Sequence, residues 1–79
     1  MYMIIVGAGS IGSSLIDIAV REKNNVVLID TNSERARVVS TRHDITVLVA
    51  NATSSETLRE AGADRADAIV ITTSDDAVN

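Results

Sequence analysis

Four apolar runs punctuate the chain: Met3-Ile4-Ile5-Val6, Val26-Val27-Leu28-Ile29, Ile45-Thr46-Val47-Leu48-Val49 and Ala68-Ile69-Val70-Ile71-Thr72. Each is of strand length; the first two read as strands of the buried type, and the third is strongly β-branched. Between the runs the period changes. From Ser10 onward, Ile11, Leu15, Ile18 and Ala19 recur at i, i+4, i+7 and i+8, predicting the apolar face of a helix. Arg21 and Lys23 near its end suit the helix dipole, and Asn24-Asn25 supplies the turn. A second helix is predicted over 33–42, with several N-cap candidates in Thr31-Asn32-Ser33-Glu34, Thr31 and Glu34 being spaced as a capping box, and apolar only at Ala36, Val38 and Val39. Thr53-Ser54-Ser55-Glu56 opens a third, short helix through Leu58 and Ala61, with Gly62 as its C-cap, and Thr73-Ser74-Asp75-Asp76 begins another.

The resulting order, βαβαβαβ, implies a parallel sheet with right-handed crossovers. The expected architecture is a Rossmann-like, doubly wound α/β sheet in the order 3-2-1-4, with ligands beyond the carboxyl ends of strands one and four. One turn of helix cannot repay its nucleation cost, and an apolar fourth strand at an open edge invites unwanted pairing. Residues 1–79 are therefore expected to be a single nucleotide-binding domain, truncated as an N-terminal fragment with at least one strand and helix to follow. An oligomer covering that edge is the alternative.

Composition narrows the function. Hydrophobic residues make up 46% of the chain but Tyr2 is its only aromatic, so the core must be aliphatic. Seven Lys and Arg against eleven Asp and Glu leave a net charge of −4. There is no basic stripe to neutralise phosphates and no platform for base stacking, which argues against nucleic acid. The absence of cysteine rules out disulfides and thiolate metal sites and suits a reducing compartment. No apolar run approaches the ~20 residues of a membrane helix, and no signal-like segment is seen, so a soluble, cytoplasmic chain is expected.

The candidate chemistry sits where the first strand meets the first helix. Gly7-x-Gly9-x-x-Gly12 follows a predicted strand and opens a predicted helix, the setting a dinucleotide fingerprint requires. Gly7 permits the tight turn, Gly9 the approach of backbone to a pyrophosphate, and Gly12 close helix–strand packing. Backbone N–H groups around residues 9–12, with the positive helix end, would meet the phosphates. Asp30 ends the second strand, 18 residues after Gly12, where a carboxylate accepts from both adenosine ribose hydroxyls. That acid is expected to favour NAD(H) over NADP(H). Arg35 is the one nearby cation that could rescue NADP(H), and its place a turn into the helix leaves it free to point outward. Asn51-Ala52-Thr53 follows the third strand, where an amide can bond the adenine edge; turn chemistry is the competing reading. Thr72, Thr73 and Asp75 follow the fourth strand at the switch point, with capping as the competing explanation. His43 is expected to be a solvated residue at a helix end, and Asp64, Asp67 and Asp76 to cap helices and solvate loops.

The stretches "IIVGAGSIGSSL", "VVLID" and "ANATSSETLREAGADRADAIVITTSDDAVN" resemble the TrkA-N domain, also called the RCK or KTN domain. These are ligand-sensing subunits or domains of prokaryotic potassium uptake systems and channels. The resemblance spans essentially the whole chain. It implies that Gly7, Gly9, Ser10, Ile11 and Gly12 line the phosphates of NAD(H), or of ATP or ADP. It further implies Asp30 on the ribose, Asn51 and Ala52 near adenine, and Thr73, Asp75 and Asn79 toward the ligand's other end. Two positions depart from the family pattern: Ser10 stands where a basic residue is common, and Asn51 where an acid is common. The implied role is regulatory rather than enzymatic: nucleotide occupancy alters a dimeric or larger assembly bound to a membrane potassium transporter or channel. Met1 runs straight into the first strand, which favours a separate subunit, peripheral to the inner face of the membrane and not inserted in it. The rival readings are the cofactor-binding half of an NAD-dependent dehydrogenase and a methyltransferase; the third glycine, spaced for a pyrophosphate, argues against the latter.

Overall fold

The computed structural model describes residues 1–51 and 54–72. Strands β1 (Tyr2–Val6), β2 (Asn25–Asp30), β3 (Thr46–Val49) and β4 (Ala68–Ile71) form one wholly parallel sheet in the order β3-β2-β1-β4. Helices α1 (Ser10–Arg21), α2 (Ser33–Arg42) and α3 (Ser55–Glu60) connect them, with a 3₁₀ turn at Ala63–Arg65 before β4. This is the expected doubly wound, Rossmann-like arrangement.

The two central strands show why their sequences lack a polar face. Successive side chains leave a strand on opposite sides. Ile5, Val26 and Leu28 meet Ile16 and Ala19 of α1 and Val39 of α2 on one face. Ile4, Val27 and Ile29 meet Ala61, with Leu58 alongside, on the other. Ile4, Ile5, Leu28 and Ile29 are fully buried, so every residue of the pattern Ile-Ile and Val-Val-Leu-Ile is used. Burying one such aliphatic side chain contributes roughly 1.5–3 kcal/mol.

The helix faces differ from the periodicity reading by one residue. In α1 the buried positions are Gly12, Ile16 and Ala19, while Ile11 and Ile18 are 66% and 51% exposed. Gly12 must face the sheet to pack against the loop before it, and neighbouring helical residues are rotated by about 100°. The larger Ile11 is thereby turned to the outside. In α2, Ala36 and Val39 are buried and Val38 is exposed.

Helix ends explain other local choices. Asn32, not Thr31, caps α2: its Oδ1 accepts from the Arg35 N–H at 2.9 Å. Ser54 caps α3 by accepting from Thr57, and Gly62 follows that helix with φ of 85°. α1 closes with the Lys23 N–H donating to the Val20 carbonyl and the Asn24 N–H to that of Ala19. This paired closure normally uses glycine at the left-handed position, here filled by Lys23 with φ of 65°. His43 is not solvated as expected. Its side chain is 18% exposed and its Nε2 lies 2.6 Å from Asp17 Oδ1, linking the end of α2 to α1.

Register places the chemistry. Val6 pairs with Ile29 and Ile71, and Asp30 pairs with Val49, so all four strands reach their carboxyl ends along one edge. The glycine loop, Asp30, Asn51 and Thr72 all emerge there.

Candidate nucleotide-binding site

β1 ends in a turn that only glycine accommodates. Gly7 has φ of 100°, and a Cβ there would lie 2.1 Å from the Thr72 carbonyl oxygen. Its N–H still donates to the Ile29 carbonyl at 2.8 Å, which holds the turn against β2. Gly9 is the N-cap of α1 and supplies no side chain to that end. The first intrahelical bond runs from the Ser13 N–H to the Gly9 carbonyl at 2.8 Å. The N–H groups of Ser10, Ile11 and Gly12 precede it, in the first helical turn, where backbone donors have no intrahelical acceptor. A Cβ on Gly12 would lie 1.9 Å from the Gly7 carbonyl oxygen, so this glycine lets helix and loop touch. The arrangement suits an anion: backbone donors of the first turn, the positive end of the helix, and a glycine without a side chain at the N-cap.

Asp30 is bound to that loop directly. Its side chain is 4% exposed. Oδ2 accepts from the Ala8 N–H at 2.8 Å, and Oδ1 from the Asn32 N–H at 2.9 Å. An ionised carboxylate offers about four acceptor positions, so two bonds leave capacity for ligand hydroxyls. The same contacts orient the carboxyl group beside the glycine turn.

Arg35 turns its Nε back toward Asp30, although the side chain as a whole is 40% exposed. Its Nε lies 3.6 Å from Asp30 Oδ2, is itself buried, and has no hydrogen-bond acceptor among the described residues. The guanidinium thus flanks the oxygen that also accepts from the glycine loop.

Thr72 ties β4 to the same loop. Its N–H donates to the Val6 carbonyl at 2.8 Å, and its Oγ1 lies 3.0 Å from the carbonyl oxygens of both Val6 and Gly7. The hydroxyl is spent on shaping the turn. Asn51 follows β3 beside Asp30, since the Ala50 N–H donates to the Asp30 carbonyl at 3.1 Å. The structure therefore brings Gly7, Gly9, Ser10, Ile11, Gly12, Asp30 and Asn51 to one edge. Ala52, Thr73 and Asp75, with Asn79, lie outside the described residues. His43 precedes β3 and so lies toward the opposite, amino-terminal edge of the sheet, paired with Asp17.

Two contributors were missed in the sequence: Ala8, whose backbone alone acts, and Asn32. The second had a signal. Asp followed two residues later by Asn is a favourable Asx turn leading into an N-cap.

Comparison with known proteins agrees with this geometry. Residues 3–79 match the TrkA-N domain. The whole chain is 37% identical to the Trk system potassium uptake protein TrkA of Haemophilus influenzae, covering 17% of that protein. It is also 37% identical to a Trk system potassium uptake protein TrkA homolog of Pyrococcus abyssi, covering 35% of it. A homolog from Methanothermobacter thermautotrophicus is 30% identical, with 37% of its length covered. The chain thus spans between about a sixth and two fifths of these relatives' lengths. With the glycine turn, the buried acid and the 3-2-1-4 sheet in place, and the match running over residues 3–79, this chain belongs to the TrkA-N domain family.

Proposed function

We propose that residues 1–79 form a nucleotide-binding unit of a regulatory protein in a potassium uptake system, with NAD(H), or ATP or ADP, as ligand. The observation that carries this reading is the bond from the Ala8 N–H to the buried Asp30 carboxylate, which couples a phosphate-type loop to a ribose-type acid. Phosphates sit on the N–H groups of Ser10, Ile11 and Gly12 near Gly7 and Gly9, the ribose on Asp30, and adenine toward Asn51 and Ala52. Thr73 and Asp75 are assigned to the distal half of the ligand by the family resemblance alone. The names of the relatives supply the transport context.

The unit acts by binding, not by turnover. The histidine that could serve as a base is engaged with Asp17 away from the carboxyl edge. A ligand can shift a conformational equilibrium only by its differential affinity for the two states, ~1.4 kcal/mol per tenfold. The shift would reach a membrane potassium transporter or channel subunit at the cytoplasmic face through a homodimer or larger assembly. Ile69 and Ile71, 43% and 67% exposed on β4 at the sheet edge, supply apolar surface for such contacts.

Calorimetric titration with NADH, ADP and ATP, alongside mass-spectrometric identification of any co-purified nucleotide, tests the reading. Saturable binding that is weakened by Asp30→Ala in a folded variant is expected. A folded chain that binds none of the three would overturn it, as would reproducible oxidation or reduction of a nicotinamide with a small-molecule substrate.

A further inference from the structure

One peptide unit joins two polar side chains that stand at the ends of different strands. The N–H of the Gly7–Ala8 peptide, on Ala8, donates to Asp30 Oδ2 at the end of β2, at 2.8 Å. Its carbonyl, on Gly7, lies 3.0 Å from Oγ1 of Thr72, the residue after β4. A hydroxyl has a single proton to donate, and the carbonyls of Val6 and Gly7 compete for it. The Val6 carbonyl already accepts the Thr72 N–H at 2.8 Å, whereas the Gly7 carbonyl has no other donor among the described residues. The proton is therefore best used on Gly7. A trans peptide is planar, with its C=O and N–H pointing opposite ways. The hydroxyl that aims this carbonyl toward β4 thus also aims the N–H toward the carboxylate on β2. Gly7 has no Cβ to limit rotation of that plane, so the two side chains limit it instead. Hydrogen bonds in series through one peptide also polarise each other, and the carboxylate end is charge-assisted. Ala8 and Asp30 are both buried, which shields their bond from water.

We propose that Thr72 is a positioning residue for the nucleotide site: acting through the Gly7–Ala8 peptide, its hydroxyl fixes the orientation of the Asp30 carboxylate. The carboxyl end of β4 is thereby coupled to recognition at the end of β2, across the β1 strand between them. β4 is an edge strand with Ile69 and Ile71 exposed, so a contact that shifts its end alters Asp30 without touching the ligand. By linkage, a ligand held by Asp30 biases the same edge in return. The tie between the two side chains stands on the geometry alone, and its effect on ligands rests on the nucleotide-binding reading above.

The test compares wild type, Thr72→Val and Thr72→Ser, with circular dichroism confirming that each is folded. Valine keeps the shape without the hydroxyl, and serine restores the hydroxyl; Thr72→Ala stands in should the valine chain not fold. The first readout, the amide proton resonance of Ala8 in the ligand-free chain, needs no nucleotide. It should move upfield in Thr72→Val as the bond to Asp30 loosens and return in Thr72→Ser, with the amide of Leu28 inside β2 as the reference. An Ala8 resonance that moves no more than that of Leu28 would overturn the proposal. The second readout is calorimetric titration with ADP and with 2′,3′-dideoxy-ADP, which lacks the ribose hydroxyls. Thr72→Val should weaken ADP binding by about fivefold more than binding of the dideoxy compound, and Thr72→Ser should recover most of that difference. Equal weakening of both would show that Thr72 acts on the loop alone, and would sink its link to ribose recognition. If wild type binds neither compound nor NADH, the nucleotide reading falls, while the Ala8 resonance still decides whether Thr72 is tied to Asp30.

Discussion

Replacing Gly12 by Ala sets two effects of opposite sign against each other. Ala is the better helix former by up to ~1 kcal/mol at an interior position, so propensity alone predicts stabilisation. The structure predicts the reverse. The added Cβ would lie 1.9 Å from the Gly7 carbonyl oxygen, 2.8 Å from the carbon of that carbonyl and 2.8 Å from Thr72 Oγ1. Reaching an ordinary contact requires the turn to retreat by more than about 1 Å, and overpacking of this kind costs roughly 1–3 kcal/mol. Retreat is resisted, because the Gly7 N–H is bonded to Ile29 and its carbonyl oxygen is met by the Thr72 hydroxyl. Because the clash is with backbone, the cost lies toward the upper end of that range, about 2–3 kcal/mol, and Gly12→Ala is expected to be less stable than wild type by about 1–2 kcal/mol after the propensity gain of up to ~1 kcal/mol is subtracted. For a domain of this size that lowers the melting temperature by roughly 4–8 °C per kcal/mol. Urea and thermal unfolding followed by circular dichroism, without nucleotide, supply the measurement, with Ser14→Ala on the exposed face of α1 as the propensity control. A Gly12→Ala chain as stable as wild type would refute the claim that this glycine is required by close packing of the fold itself.

The buried carboxylate makes a second prediction: Asp30→Ala leaves the buried Ala8 N–H unpaired and should destabilise the ligand-free chain by roughly 2–4 kcal/mol. A loss below about 0.5 kcal/mol in urea unfolding would show that those bonds contribute little. Thr72→Val keeps the shape but removes the hydroxyl from the Val6 and Gly7 carbonyls, for an expected loss of about 1 kcal/mol. Equal denaturation midpoints for the two chains would count against its role in shaping the loop. At the end of α1, Lys23→Gly relieves a left-handed residue and should raise stability by about 0.5–1 kcal/mol, after allowing for the greater freedom of glycine in the unfolded chain. A lower melting temperature than wild type would contradict that account.

Much of this protein can be read from residue order because the physics involved is local. A continuous aliphatic run of four or five residues suits a strand covered on both sides, and alternation with helical spacing leaves few topologies open. The glycine spacing and the acid at the end of β2 are likewise legible in the residue order, since each follows from a strand end. The sequence alone therefore determined the sheet order and the edge to which the glycine turn and Asp30 both come. Rotation of the helices was another matter. Ile11 and Ile18 fit an apolar stripe as well as Ile16 does, and only the contact of Gly12 with the preceding turn decides that Ile16 is inside. Caps were similarly ambiguous, with Thr31 and Asn32 both eligible until the Asp30 carboxylate drew in the Asn32 N–H. His43 and Asp17 lie 26 residues apart, and no local rule joins them. The same holds for Arg35, whose direction depends on where β2 ends relative to the first turn of α2. Secondary structure and topology answer to periodicity and short-range sterics, whereas side-chain partners across elements depend on how those elements are rotated against one another. That rotation is set by close packing, and it is what only the tertiary structure decided.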